Sequence, residues 1–164
     1  MKQIKLEKLT KEAFAPYGEY YDMLNPEGYA LTGPLHSFYP DRLLDRVNAN
    51  FAFSPMVVKK PEKYIVDTIE YHTTTAEVIF PLTDDIVFHV CQPSGGKVIT
   101  EQTKAFLVPK GTMVKINAGV WHLCPMPLHD EKSTTLIALP ECIYANDLKV
   151  ANLTAEEQFE IIVD

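Results

Sequence analysis

"AEVIFPLTDDIVFHVCQPSGGK", residues Ala76–Lys97, decides the fold class. It holds two runs rich in Val, Ile and Phe, each closed by a turn signal, LTDD and then PSGGK. Short apolar runs dense in β-branched and aromatic residues, bounded by Gly, Pro and Asp clusters, read as strands. The pattern continues on both sides, through ANFAFSPMVV, YIVDTIEYH, KAFLVP, MVKINA and STTLIALP. KKPEK, PKGT and PLHDEK punctuate those runs. Strands at such close, regular spacing predict an all-β sandwich or barrel.

The flanks read differently. Ile4 and Leu6 alternate with polar residues as in a strand, and Thr10 before KEAF is an N-cap signal for a short helix. Pro16 and Gly18 end that helix quickly. Residues 22–50 hold three prolines and two glycines among several aromatics, which predicts a long irregular lid or edge segment with a short helix at 40–46. In the tail, LTAEEQFEIIVD, Thr154 and Glu157 have capping-box spacing and predict a short helix. No internal repeat, low-complexity tract or linker interrupts the chain. The 164 residues therefore read as one domain: an N-terminal part (1–48), a β-barrel (49–145) and a C-terminal extension (146–164).

Composition narrows the function classes. With 15 basic and 22 acidic residues the net charge is −7, which argues against a nucleic acid or an anionic membrane as partner. The first residues offer no continuous apolar core, so no signal peptide is expected. Cys91, Cys124 and Cys142 are odd in number and widely spaced, a pattern of free thiols in a reducing compartment. A cytoplasmic location is the expectation.

Chemistry-bearing residues concentrate in two places. In Glu70-Tyr71-His72-Thr73-Thr74-Thr75-Ala76-Glu77, Glu70 and His72 are two apart and share one face of a strand, and a fold-back brings Glu77 towards them. In Asn117-Ala118-Gly119-Val120-Trp121-His122, a glycine turn precedes an imidazole in an apolar run. A lone buried histidine is ordinarily a hydrogen-bonded core residue. Two segments delivering carboxylates and imidazoles into an apolar barrel are different, because buried charges need a metal, a substrate or one another. Carboxylate plus imidazole is a ligand set for a divalent first-row metal, with His72, Glu77 and His122 as ligands and Zn, Mn or Ni as candidate ions. Glu70 has a solvent-facing alternative, and His89 in IVFHV points either into the pocket or to the outer face. Lys115 is a candidate carboxylate binder, with a surface lysine as the plainer reading. Trp121, Phe80 and Cys124 read as packing residues, and His36 and His129 as solvated loop histidines.

The two segments resemble the paired motifs of the cupin superfamily. Glu70 stands where the first histidine of the first motif falls, His72 is the second, Glu77 is its glutamate, and Asp84 takes the place of its glycine. In the second motif Asn117 replaces the proline, while Gly119 and His122 match. Within cupins the chain resembles the ureidoglycolate lyase family, through LTKEAFAPYGEYYD, EYH followed by FPL, FLVPKGTMVKINAGVWH and NDLKVANL. Two departures stand out: HTTTAE replaces the family's H-P-x-G-S-Q, and Leu123 replaces a further histidine after GVWH. The resemblance implies a double-stranded β-helix (jelly-roll) barrel with short N- and C-terminal helices, and a homodimer. It implies an enzyme that splits ureidoglycolate, a small-molecule substrate, into glyoxylate and urea, with His122, Glu77 and His72 catalytic. Glu70, His89 and Lys115 are the expected substrate contacts. The alternatives are a metal-dependent cupin acting on another small hydroxy acid or sugar, as an isomerase or epimerase, and a non-enzymatic small-molecule-binding module.

Overall fold

The computed structural model describes residues 1–163. Asp164, the last residue of the expected C-terminal extension, lies outside the described residues. The first half of the chain forms β1 (Lys2–Lys8), α1 (Lys11–Phe14), β2 (Gly18–Asp22), β3 (Leu31–Gly33), β4 (His36–Phe38), β5 (Phe51–Lys59), β6 (Tyr64–Val66), β7 (Thr68–Tyr71) and β8 (Glu77–Pro81). There follow β9 (Ile86–Cys91), β10 (Lys104–Val108), β11 (Thr112–Ile116), β12 (Trp121–His122) and β13 (Met126–Pro127). The chain ends with β14 (Lys132–Pro140), α2 (Ile143–Asn146), β15 (Lys149–Asn152) and β16 (Phe159–Ile162).

These strands form two main sheets. The larger runs β15-β7-β12-β9-β10-β1-β16-β6, with β13 also paired to β9, and the smaller runs β2-β11-β8-β14-β5. Strands β3 and β4 form a separate exposed hairpin in the 22–50 segment. The runs predicted an all-β sandwich or barrel, and the barrel that the resemblance implies is the observed architecture. Its central core lies between the sheets: Ile79, Val114, Ile116 and Ile137 come from the smaller sheet, and Phe88, Val90, Phe106 and Val108 from the larger. Phe14 of α1 joins it, its ring edge-on to Phe106 at 5.5 Å. Thr10 caps α1 as expected, its hydroxyl accepting from the Ala13 N–H at 3.2 Å.

A second core covers the outer face of the larger sheet. It holds Val87 and Cys91 of β9, Trp121, Ile69, Ile4, Phe159 and Ile161. Strand β9 is thus buried on both faces, which is why IVFHVC reads as a continuous apolar run rather than an alternating one. Even residues of β9 face the central core and odd residues face the second core.

Two expected helices are absent. Residues 40–46 form no helix: Pro40 cannot continue one, and Asp41 sits in the left-handed region at φ 59°. Beside it Arg42 lies over the rings of Tyr21 and Tyr39. In the tail the capping box does form, with the Thr154 N–H donating to Glu157 Oε2 at 2.9 Å, but it closes a turn rather than opening a helix. Phe159 and Ile161 are buried while their neighbours are less so, a period of two, and β16 pairs parallel to β1 and antiparallel to β6. Tertiary pairing overrides the local helix signal.

Phe159 is fully buried in the second core. Phe159→Ala is expected to destabilise the protein by about 3–5 kcal/mol, read as a lowered midpoint in urea unfolding. A loss below about 1 kcal/mol would contradict a strand inserted at this position.

Candidate functional site

Each histidine of the two motifs is aimed by its backbone. Residues 68–71 form β7, and His72 lies one residue past its end. On β12, His122 pairs with Val90 of β9, whose side chain is in the central core, and Trp121 pairs with Cys91 of the second core. Paired residues share a face, so His122 points into the barrel and Trp121 away from it. Gly119 makes the turn between: it sits at φ 81°, a conformation that L side chains rarely adopt. Its N–H donates to the His72 carbonyl at 2.7 Å, which ties the two motifs together directly.

Glu77 begins β8 opposite Ile116, on the inward face shared with Ile79. One of its oxygens, Oε2, lies 3.1 Å from His72 Nε2 and 2.9 Å from His122 Nε2. All three residues are buried. Glu70 pairs with His122 across β7 and β12, is half-buried, and places a carboxylate oxygen with a nitrogen of His72 and of His122 so that all three lie within 4.8 Å of one another. The carboxylates and imidazoles expected to converge do so.

The hydrogen bonds decide the tautomers. His72 Nδ1 lies 2.7 Å from the Asp147 carbonyl oxygen and His122 Nδ1 lies 2.8 Å from the Val120 carbonyl oxygen. A carbonyl only accepts, so both Nδ1 atoms carry protons and donate. In a neutral ring Nε2 then presents a lone pair to the Glu77 carboxylate. Two lone pairs and an anionic oxygen cannot share a buried space without positive charge between them. That charge is either a proton on the rings or a divalent cation.

The titration directions agree. Burial pushes both histidines down, yet the charge and hydrogen bonding of Glu77, with the carbonyl contacts, more than offset it, so His72 and His122 are both raised. Burial pushes Glu77 up, but the two imidazoles outweigh it and hold its carboxyl at about 2. Glu70 is raised, chiefly by burial. A metal suits the same donor set. Histidine ligands characteristically give their other N–H to a carbonyl or carboxylate, and both rings here do so while turning Nε2 into the cluster. His72 and His122 with Glu70 and Glu77 are the residues that would hold a divalent ion.

Asp147 is the contributor that sequence reasoning missed. Besides its carbonyl on His72, its carboxylate accepts from the Thr73 and Thr74 N–H groups at 2.8 and 2.7 Å and from the Thr74 hydroxyl at 2.7 Å. Burial opposes ionisation, but these donors hold the carboxyl at about 2. It pins the turn after His72 to the C-terminal segment. Its only sequence signal was the NDLKVANL turn, which carries no information about what it touches.

Two expected substrate contacts lie elsewhere. His89 is fully buried on the opposite face of β9, its ring 5.7 Å from that of Phe159 in the second core. Neither of its ring nitrogens has a hydrogen-bond partner among the described residues. Burial, and then the charge of His122, hold it down at about 3. The odd position on β9 sends it away from the barrel. Lys115 also faces outwards, because Val114 and Ile116 on either side point in; its ammonium pairs with Glu19 at 2.5 Å. Asp84, in the place of the motif glycine, is buried and accepts from the His129 and Asp130 N–H groups at 2.9 and 3.0 Å.

The family model described as ureidoglycolate lyase matches residues 1–161. A relative from Rhodobacter capsulatus named ureidoglycolate lyase is 28% identical over 125 residues, covering 74% of this chain and 77% of its own. One of the same name from Azotobacter vinelandii is 25% identical over 152 residues, covering 87% and 90%. Among solved structures, a dTDP sugar isomerase from Desulfovibrio desulfuricans G20 superposes with a TM-score of 0.54 at 11% identity, over 87% of this chain and 89% of that one, a likeness of fold.

The pH dependence of metal-free stability tests the cluster. The raised histidines contribute stability that is complete below their ordinary 6.5 and lost as pH rises through their folded values. Glu77 contributes stability present above 4.5 and lost as pH falls towards about 2. His89, held at about 3, costs stability below 6.5, where the unfolded chain binds a proton that the folded chain refuses. Chelator-treated protein is expected to show its highest Tm near pH 6.5, falling on both sides, and His89→Leu should flatten the acid side. A Tm rising steadily to pH 9 would refute the raised histidines.

Proposed function

The chain belongs to the ureidoglycolate lyase family, and from that premise we infer that it cleaves ureidoglycolate, a small α-hydroxy acid ureide, to glyoxylate and urea. The observation that carries the reading is the buried cluster of two imidazoles sharing one Glu77 oxygen, with Glu70 beside them. The reaction asks for little more. A base removes the proton of the carbinol hydroxyl. The oxygen's electrons close the carbonyl, the carbon–nitrogen bond breaks, and an acid protonates the departing urea nitrogen.

With its Nδ1 proton given to Val120, His122 has only Nε2 free for proton transfer, and Glu77 at 2.9 Å stabilises the imidazolium that forms. Glu77 is itself a poor base, because the imidazoles hold it at about 2. It serves as the fixed counter-charge. His72, oriented by Asp147 and touching the same Glu77 oxygen, and Glu70, whose carboxyl is pushed up chiefly by burial, are the groups in place to return the proton. A divalent ion held by this cluster would polarise the substrate hydroxyl and lower its pKa.

The remaining finer readings rest on single features. The cysteines support a cytoplasmic location, since Cys91, Cys124 and Cys142 are all free thiols. No helix among the described residues is long and apolar enough to cross a membrane. Strand β5 ends the smaller sheet with Phe53 and Val57 exposed, which supports a homodimer through that edge.

Urea release from ureidoglycolate is expected of the purified protein. His122→Asn should lower kcat by about 10²-fold or more with an unchanged far-UV spectrum. Chelation, followed by titration of Zn, Mn or Ni, reads the metal requirement. A folded protein with no turnover in any metal state would refute the activity. Phe53→Lys is expected to shift sedimentation equilibrium from dimer to monomer; a dimer that persists would exclude that edge.

A further inference from the structure

The two imidazoles of the cluster are held in different ways. His122 stands inside a sheet: it pairs with Val90 of β9 on one side and with Glu70 of β7 on the other. The carbonyl that accepts from its Nδ1 belongs to Val120, two residues earlier. The second motif therefore carries both the ring and the group that aims it. His72 has neither support. It lies past the end of β7, at the start of a connection, residues 72–76, that belongs to no strand. The carbonyl on its Nδ1 comes from Asp147, seventy-five positions away.

Every polar group of Asp147 is engaged around that contact. Its N–H donates to the Ile143 carbonyl at 2.8 Å, closing the last turn of α2. Two residues on, Lys149 pairs with Tyr71, so the β15–β7 ladder, continued, sets Asp147 opposite Thr73. From there Oδ1 accepts from the Thr73 N–H, and Oδ2 accepts from the Thr74 N–H and the Thr74 hydroxyl. One residue thus grips both the His72 ring and the main chain from which that ring hangs. The contacts close a circuit from ring to Asp147 carbonyl, to Asp147 carboxylate, to the Thr73–Thr74 backbone and back to the ring. The ring cannot swing without breaking one of them, and those to the carboxylate are charge-assisted. The Gly119 N–H on the His72 carbonyl fixes the backbone but not the ring. A misplacement of about 1 Å at a reacting group is enough to cost on the order of 10²-fold in rate.

We propose that Asp147 is the positioning residue for His72: its carboxylate clamps the Thr73–Thr74 turn, sets its own carbonyl on Nδ1, and so points Nε2 at Glu77. The proposal deepens the lyase reading and rests on it for the part His72 plays in returning the proton. The geometry confines the effect to one ring. Without the carboxylate, His72 is released, while His122 keeps its local carbonyl. The C-terminal segment is thereby a condition of catalysis, because the cluster is complete only when Asp147 is seated against residues 72–74.

The imidazole protons report this without reference to turnover. In chelator-treated wild-type protein carrying isotopically labelled histidine, the Nδ1–H protons of His72 and His122 are expected as two slowly exchanging resonances, identified by their loss in His72→Asn and His122→Asn. Asp147→Ala is expected to lose the His72 resonance to exchange with water and to keep that of His122. Thr74→Val removes only the hydroxyl donor and should speed exchange at His72 alone, which carries the test if Asp147→Ala does not fold. Asp22→Ala, which removes a carboxylate pinning the Leu24–Asn25 turn, should change neither resonance. Zn titrated into chelator-treated Asp147→Ala should bind about 10- to 100-fold more weakly than to wild type, the range for loss of a group that orients a ligand. With ureidoglycolate, kcat should fall by about tenfold or more, with KM moving far less. Persistence of both resonances in Asp147→Ala overturns the assignment. So does their joint loss, which marks general loosening rather than positioning, and so does a wild type whose His72 proton is unprotected. If the resonances respond as expected and the wild type releases no urea, the positioning role stands and the proposed activity falls.

Discussion

A single carboxylate oxygen between two imidazoles is the constraint on which this site depends. Glu77 Oε2 cannot stay buried beside two Nε2 atoms unless positive charge joins them. The two backbone carbonyls that take the Nδ1 protons remove the alternative tautomer, in which Nε2 carries the only ring proton and the cluster is neutralised by ordinary hydrogen bonds. The arrangement is therefore a poor structural core and a good receptor for a proton or a cation. That is the property a lyase acting on a carbinol hydroxyl needs.

The supports of the cluster come from three distant parts of the chain. Gly119 binds the His72 carbonyl, so the second motif holds the first. Asp147 reaches in from the segment after α2 and secures the Thr73–Thr74 turn with three accepted hydrogen bonds. That segment begins at Cys142, which sits in the left-handed region at φ 57°. Beyond it the chain enters β15, which pairs with β7 beside Glu70. The C-terminal extension is thus both an edge of the larger sheet and a wall of the site, and β16 closes the second core further along.

The second core also explains how a barrel this small keeps its histidines apart. With both faces of β9 covered, alternate side chains enter separate apolar compartments. His89 is neutral in one of them, held down by burial, while His122, paired to the next residue along, faces Glu77 in the other. A shift of one residue in the register of β9 would turn His89 into the barrel.

Much was legible in the sequence. Apolar runs and turn signals were enough for an all-β sandwich or barrel, and the Glu70-His72-Glu77 and Gly119-His122 spacings were enough to single out His72, Glu77 and His122 as converging groups, with Glu70 left between pocket and solvent, because strand alternation and the glycine turn are local properties. The strand at β16 was not legible, since a capping box is local and pairing with β1 and β6 is not. Nor were the faces of His89 and Lys115: alternation relates neighbours on a strand but does not say which side the barrel closes on. Asp147 was invisible for a sharper reason. Its role is a set of hydrogen bonds to residues 72–74, more than seventy positions earlier, and only the tertiary fold brings those atoms within reach. The sequence by itself determined which groups exist and which share a strand face; the tertiary structure decided which of them meet, because buried charge is tolerated only where the whole fold supplies its partners.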